Sequence, residues 1–104
     1  MALTLKTGEQ AGISTITVEG EVDVSCADEL RTCIARVMEQ EGKGVRIDIA
    51  NMPYIDSTGI GVFVGAAHNA AEQNISFEIV HPQRNVVRIF ELLGMMESLG
   101  IAND

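Results

Sequence analysis

Basic residues are scarce in this sequence: seven Lys and Arg stand against fifteen Asp and Glu, for a net charge of −8. A surface that acidic repels phosphate backbones and anionic lipid, which argues against nucleic acid or a membrane surface as the partner. It suits a basic partner without identifying one. Long apolar runs are missing too. The longest, Gly59 to Ala67, falls far short of the ~20 residues that a membrane-spanning helix needs. The first ten residues carry Thr4, Lys6, Thr7, Glu9 and Gln10 and hold no apolar signal-peptide core. A cytoplasmic protein without membrane insertion is expected. Cysteine is limited to Cys26 and Cys33. Seven residues apart on a helix, at about 1.5 Å of rise each, they sit about 10 Å from one another, beyond disulfide reach. With His68 and His81 far along the chain, they make no zinc spacing either, so reduced core or surface thiols are expected. There is no linker, repeat or low-complexity stretch, and no cofactor motif.

What is present is one domain's worth of chain, 104 residues of which 46% are apolar. A domain of that size buries roughly 60–70% of the surface its unfolded chain exposes, enough for one core. Leu3 to Thr7 and Ile13 to Glu19 alternate apolar and polar residues and read as two strands joined by a turn over Gly8 to Gly12. After a connector, Gly20 to Val24, the stripe of Ala27, Leu30, Ile34 and Val37 predicts a helix from Ala27 to Gln40. Ser25 is the expected N-cap, with Gly42 and Gly44 as the stop. Val45 to Ile49 is a third strand, and Thr58 to Gln73 a helix rich in small residues, suited to close packing. Ile75 to Val80 is a fourth strand. Gln83 to Leu93 is a third helix with the stripe Val86, Ile89, Phe90 and Leu93, ended by Gly94. The order β-β-α-β-α-β-α predicts an α/β fold. Its sheet is mixed, with four to five strands, an N-terminal antiparallel hairpin and helices mainly on one face.

One segment carries candidate chemistry. Met52 to Gly61 leaves a strand, turns and opens a helix, where α/β proteins present functional groups. Ser57 falls at the helix entrance, where backbone N–H groups and the helix dipole favour an anion. It is therefore either an ordinary N-cap or a hydroxyl placed for phosphorylation or beside a bound phosphate. A hydrolase reading fails. The residue two before Ser57 is Ile55, not the glycine of a nucleophile elbow, and His68 lies eleven residues further along the helix. Gly59, Gly61 and Gly65 match neither phosphate-loop pattern. A hard-cation site would need several of Glu21, Asp23, Asp48 and Asp56 to converge; solvated acids, with Asp23 or Asp56 bonding to a local turn, are the simpler expectation. Ile60, Val62 and Phe63 are open between core and interface. Met95 and Met96 are open between gap filling and a soft contact surface.

Three stretches resemble one known family. Gly20-Glu21-Val22-Asp23 is similar to its Gly-Glu-Leu-Asp, and Asp56-Ser57-Thr58-Gly59-Ile60-Gly61-Val62 to its Asp-Ser-Ser/Thr-Gly-Leu-Gly-Val signature. Val86 to Gly94, with Arg88-Ile89-Phe90 followed by Leu92-Leu93-Gly94, resembles its Val-x-Arg-x-Phe/Leu segment. The whole chain, residues 1–104, resembles a single STAS domain, and within that family the free-standing bacterial anti-sigma factor antagonists. The resemblance implies a non-enzymatic binding module. Its unphosphorylated form would bind an anti-sigma factor that is also a serine kinase, freeing a sigma factor. Phosphorylation at Ser57 would release it, and a phosphatase would reset it. The contact residues implied are Glu21, Asp23, Asp56, Ser57, Thr58, Gly59 and Ile60. No cofactor is implied. A second implication is a subunit of a lipid-trafficking transport complex docked on its ATPase. Two departures stand out: Gly65 to Ala70 holds no Lys or Arg where many members are basic, and the family's last helix is expected to be absent or very short.

Overall fold

The computed structural model describes residues 3–40, 42 and 44–101. Strands β1 (Thr4–Gln10) and β2 (Ile13–Glu19) pair antiparallel, from Thr4 opposite Glu19 to Gln10 opposite Ile13. The connection is two residues long, because Ala11 and Gly12 both take positive φ (56° and 86°). That geometry twists in the same sense as the strands. The five-residue turn expected from sequence thus shrinks to two, and β1 runs on to Gln10.

Helix α1 (Ala27–Glu39) carries the chain to β3 (Gly44–Asn51), and α2 (Ser57–Glu72) carries it to β4 (Ser76–Val80). Both crossovers produce parallel neighbours, so the sheet order is β1-β2-β3-β4. Helix α3 (Arg84–Leu92) follows, and turns lead to Ile101, which forms a single parallel bridge with Ile79 of β4. The fifth strand is that one bridge. Among the described residues no helix follows α3.

The sheet's two faces differ as the alternation demands. Ile16, Val18, Val45, Ile47, Ile49 and Ile79 point to the core and are buried. Opposite them lies a polar face, where the Arg46 Nε–H donates to Glu78 Oε1 (2.5 Å) across the β3–β4 register and Lys6 pairs with Glu19 (3.6 Å). Such exposed pairs add little stability but keep this face wet. The helices supply the other half of the core: Leu30, Ile34 and Val37 from α1, Ile60, Val62 and Phe63 from α2, and Val86 and Phe90 from α3. Met95 and Met96 are half-buried against it, filling gaps.

Four local expectations change. Ser25 does not cap α1. Cys26 holds that position with no side-chain cap bond, because the Ser25 N–H and hydroxyl both turn back to Asp23 Oδ1 (2.9 and 2.6 Å). The helix ends at Glu39, before Gly42, and Gly44 opens β3. In α2 the small residues divide: a Cβ on Gly61 or Gly65 would meet nothing within 4 Å, and together they border a cavity of about 140 Å³ against Arg31, Ile34 and Met38. Leu93 lies beyond the last turn of α3 and is exposed, while Ile89 stays half-buried.

Candidate functional site

Two connectors meet at the carboxyl ends of the parallel strands. Val22, after β2, forms a parallel bridge with Ile55, after β3. The Val22 N–H donates to the Tyr54 carbonyl (3.2 Å), and the Asp56 N–H donates to the Val22 carbonyl (3.2 Å). Val22 and Ile55 are themselves buried, so the bridge is anchored in the core. It draws the Glu21–Asp23 segment alongside the Asp56–Gly59 segment, two stretches that are more than thirty residues apart in sequence.

Asp56 is the N-cap of α2, and its Oδ1 accepts from the Gly59 N–H (3.0 Å). The capping role left open for Ser57 therefore belongs to its neighbour. Ser57 is the first helical residue and exposed, and its hydroxyl makes no hydrogen bond among the described residues. The amides of Ser57 and Thr58, first and second in the helix, have no intrahelical acceptor and carry the positive end of the helix dipole. Thr58 is half-buried. Gly59 is buried beneath the bridge, where a Cβ would come within 2.6 Å of Val22 Cγ1 and 2.7 Å of Ile55 Cγ1. Ile60 is only 7% exposed, packed into the core, so almost nothing of it is left to touch a partner. Val62 and Phe63 are core residues as well.

Across the bridge, Asp23 is held by the loop it begins. The Ser25 hydroxyl, then the Ser25 N–H, donate to its carboxylate and hold its pKa below the ordinary value of 3.8. Behind it the buried Cys26 thiol donates to the Glu21 carbonyl (3.3 Å), and the Asp23 N–H donates to Cys26 Sγ (3.4 Å). Glu21 and Asp23 remain half-buried at the rim.

The other candidates lie elsewhere. Asp48 accepts from the Ala50 N–H (3.0 Å) and lies 3.3 Å from His81 Nδ1; His68 pairs with Glu72 along α2 (3.5 Å). Among the described residues no group of three or more His, Cys, Asp or Glu is placed to hold a metal ion. Cys26 and Cys33 are free, and burial pushes the Cys33 thiol above its ordinary pKa. No helix of the described residues is long and apolar enough to cross a membrane.

Two features of the rim escaped the sequence reading. Tyr54 and Val24 are exposed, although large apolar residues elsewhere are mostly buried. Nothing in the local pattern marks them, since exposure depends on what packs over the connectors. Asp56 was missed as a cap, because the sequence reading opens the helix one residue later with Ser57 before it; an Asp three residues before a free helix amide is the signal that could have shown it.

Comparison with known proteins agrees with this architecture. The STAS domain profile matches residues 4–104. The anti-sigma-B factor antagonist of Bacillus subtilis strain 168 is 32% identical over 87 residues, covering 84% of this chain and 79% of the relative. An anti-sigma factor antagonist from Mycobacterium paratuberculosis superposes with a TM-score of 0.88 at 19% identity, covering 99% of this chain and 87% of that one. The Bacillus cell fate determinant SpoIIAA in its phosphorylated form superposes with a TM-score of 0.72 at 16% identity, covering 99% and 93%. These last two likenesses speak to the fold. With the profile spanning nearly every residue and the Bacillus relative above 30% identity, the chain belongs to the STAS domain family, within the anti-sigma factor antagonists.

Proposed function

We propose that this protein is an anti-sigma factor antagonist that works by partner switching, with Ser57 as the switch. In its unmodified form it binds an anti-sigma factor that is also a serine kinase, and so releases a sigma factor. The kinase transfers the γ-phosphoryl group of a nucleoside triphosphate to Ser57 Oγ, which gives up its proton, and the complex comes apart. A phosphatase hydrolyses the phosphoserine and restores the binding form. The protein itself is a binding module in this scheme, not a catalyst, and it acts in the cytoplasm where sigma factors work.

The observation that carries the reading is the division of labour at the start of α2. Asp56 takes the cap through the Gly59 N–H, which leaves the Ser57 hydroxyl exposed and uncommitted at a helix N-terminus. A serine needed for capping would lose its bond on modification; this one has none to lose among the described residues. Phosphorylation would add about −1.5 to −2 charge there. The amides of Ser57 and Thr58, which have no intrahelical acceptor, would donate to the phosphate oxygens without refolding the domain. Asp56 on the same helix start, and Asp23 and Glu21 across the bridge, make the site strongly negative once the phosphate is added. A partner surface fitted to a neutral hydroxyl would then be repelled. A loss of ~3 kcal/mol weakens binding more than a hundredfold, so a local change of charge is enough to empty the complex. Among proteins of the same fold, SpoIIAA is described in both an unphosphorylated and a phosphorylated form. That precedent supports the reading here.

The test is a pull-down from native cell extract with wild type and Ser57→Asp as parallel baits, read by mass spectrometry. The expected result is capture of a kinase-type anti-sigma factor by wild type and its loss with Ser57→Asp. The protein phosphorylated in vitro serves as the stronger reagent, because one carboxylate carries less charge than a phosphate. A transport ATPase captured equally by both baits would instead assign the domain to a transporter complex and leave Ser57 without a switching role.

A further inference from the structure

We infer that Tyr54 and Val24 form the apolar anchor of the partner contact, and that the occupant is an anti-sigma factor surface with an apolar pocket bordered by Arg or Lys. This inference rests on the partner-switching reading of the same site. Tyr54 is 47% exposed and Val24 is 75% exposed, while the residues beside them in the bridge, Val22 and Ile55, are buried. Both project from the two connectors that the bridge joins. Tyr54 is one residue from Ile55 and three from Ser57; Val24 is two residues from Val22, within about 7 Å of chain.

The backbone that carries each side chain is held in place. On one connector the Pro53 carbonyl accepts from Asn85 Nδ2 (2.8 Å) and the Tyr54 carbonyl from the Val22 N–H (3.2 Å), so the backbone on both sides of the Tyr54 Cα is pinned. On the other, the Cys26 N–H donates to the Asp23 carbonyl (3.2 Å) and the Ser25 N–H to Asp23 Oδ1 (2.9 Å), which folds a tight turn around Val24. A fixed backbone that holds apolar side chains in water has already met part of the ordering cost of binding. Tyrosine is among the residues that most often dominate protein interfaces, because it brings a large apolar area and few rotatable bonds. The charge on the two connectors themselves sets the partner's character, with Arg84 and Arg88 lying beyond them on α3, whose Asn85 bonds to Pro53. The segments Glu21–Val24 and Tyr54–Gly59 hold Glu21, Asp23 and Asp56 and no Lys or Arg. A complementary surface supplies cations at the rim and an apolar pocket at the centre. In this arrangement the partner's cations lie at the rim opposite Glu21 and Asp23, while the surface it lays over Ser57 is fitted to a neutral hydroxyl, so a phosphate there would be desolvated with no cation to meet it and the anchors could no longer seat.

The measurement is a titration of the purified anti-sigma factor kinase, the one captured by the wild-type protein, into Tyr54→Ala, Val24→Ala and Leu92→Ala. Leu92 is the control, an apolar residue 87% exposed at the far end of α3. All three changes are on the surface, and circular dichroism melts check that the fold is retained. Tyr54→Ala is expected to weaken binding at least 30-fold and Val24→Ala about 5-fold, with Leu92→Ala within 2-fold of wild type. Salt should weaken the wild-type complex, since the rim pairs are screened. Tyr54→Ala binding within 2-fold of wild type, while phosphorylation at Ser57 still releases the kinase, would overturn the anchor and leave the switch intact. Equal losses from Tyr54→Ala and Leu92→Ala would overturn it as well. A wild-type protein that binds no anti-sigma factor would overturn the switch and the anchor together.

Discussion

Gly59 couples the packing of the domain to the geometry of its site, and replacing it by alanine measures that coupling. In a helix, Gly→Ala gains about 1 kcal/mol from backbone entropy alone. At Gly59 the added methyl would lie 2.6 Å from Val22 Cγ1, 2.7 Å from Ile55 Cγ1 and 3.1 Å from Ile55 Cδ1. Both neighbours are branched side chains buried in the core, so neither can swing out to water to make room. Overpacking of that kind costs about 1–3 kcal/mol, and near the helix start the entropic gain is smaller than in mid-helix. Gly59→Ala is therefore expected to lose about 1–2 kcal/mol overall. Gly65→Ala supplies the contrast: it lies in the middle of α2 with nothing within 4 Å of the new methyl, and it should gain close to 1 kcal/mol. For a domain of about this size 1 kcal/mol moves Tm by roughly 4–8 °C, so the two variants should melt 10 °C or more apart. Urea denaturation followed by circular dichroism gives both free energies, and unchanged m values would show that stability changed without a change in the surface exposed on unfolding. The amide resonances of Val22 and Asp56, which share the bridge, should shift in Gly59→Ala and stay put in Gly65→Ala. Gly59→Ala at or above wild-type stability would refute the account, since the bridge would then have room that the packing denies.

Other outcomes follow from single contacts. Asp56→Ala removes the cap on the Gly59 N–H and should lose about 1 kcal/mol in urea melts, while Asp56→Asn keeps an acceptor and loses little. The Asp23 carboxylate, held below 3.8 by the Ser25 hydroxyl and N–H, should titrate below an ordinary Asp when followed by NMR. Because its pKa is lowered on folding, its contribution is present above the unfolded value and is lost as pH falls through the folded one. Ser25→Ala removes the hydroxyl but keeps the N–H, so it should move the midpoint part of the way back towards 3.8 and narrow that window; an unmoved midpoint would exclude the hydroxyl as the main cause. Cys33 has its thiol pushed up by burial, so alkylation with iodoacetamide at mildly alkaline pH should run slower in the folded protein than in urea. The sign is opposite to that of Asp23: stability falls as pH rises past the ordinary thiol value, because the unfolded chain loses its proton first.

In the proposed switch an anion at Ser57 would be favourable towards its own helix and unfavourable towards a partner surface fitted to a neutral hydroxyl, so the fold would not need to move for the complex to change.

The sequence by itself determined the elements and their order. Alternation in Ile13–Glu19 and Val45–Ile49 and the stripe through Leu30, Ile34 and Val37 state their period in side chains that neighbours along the chain can read. Connections of helical length then require parallel neighbours, which is the topology found. The signature around Asp56 and Ser57 placed the candidate site at the opening of a helix, and α2 does begin there, at Ser57. Boundaries and caps were less legible. Ser25 and Gly42 look like helix punctuation, but the Ser25 hydroxyl is drawn to Asp23 and α1 ends at Glu39. What tertiary structure alone decided is the set of contacts between segments far apart in sequence. The Val22–Ile55 bridge brings Asp23 beside the α2 start, Ile60 turns into the core, and Tyr54 and Val24 are left in water. Periodicity reports which face of an element is apolar. It does not report which neighbour covers that face, and in the connectors, where there is no period, exposure is settled only when the rest of the chain has packed.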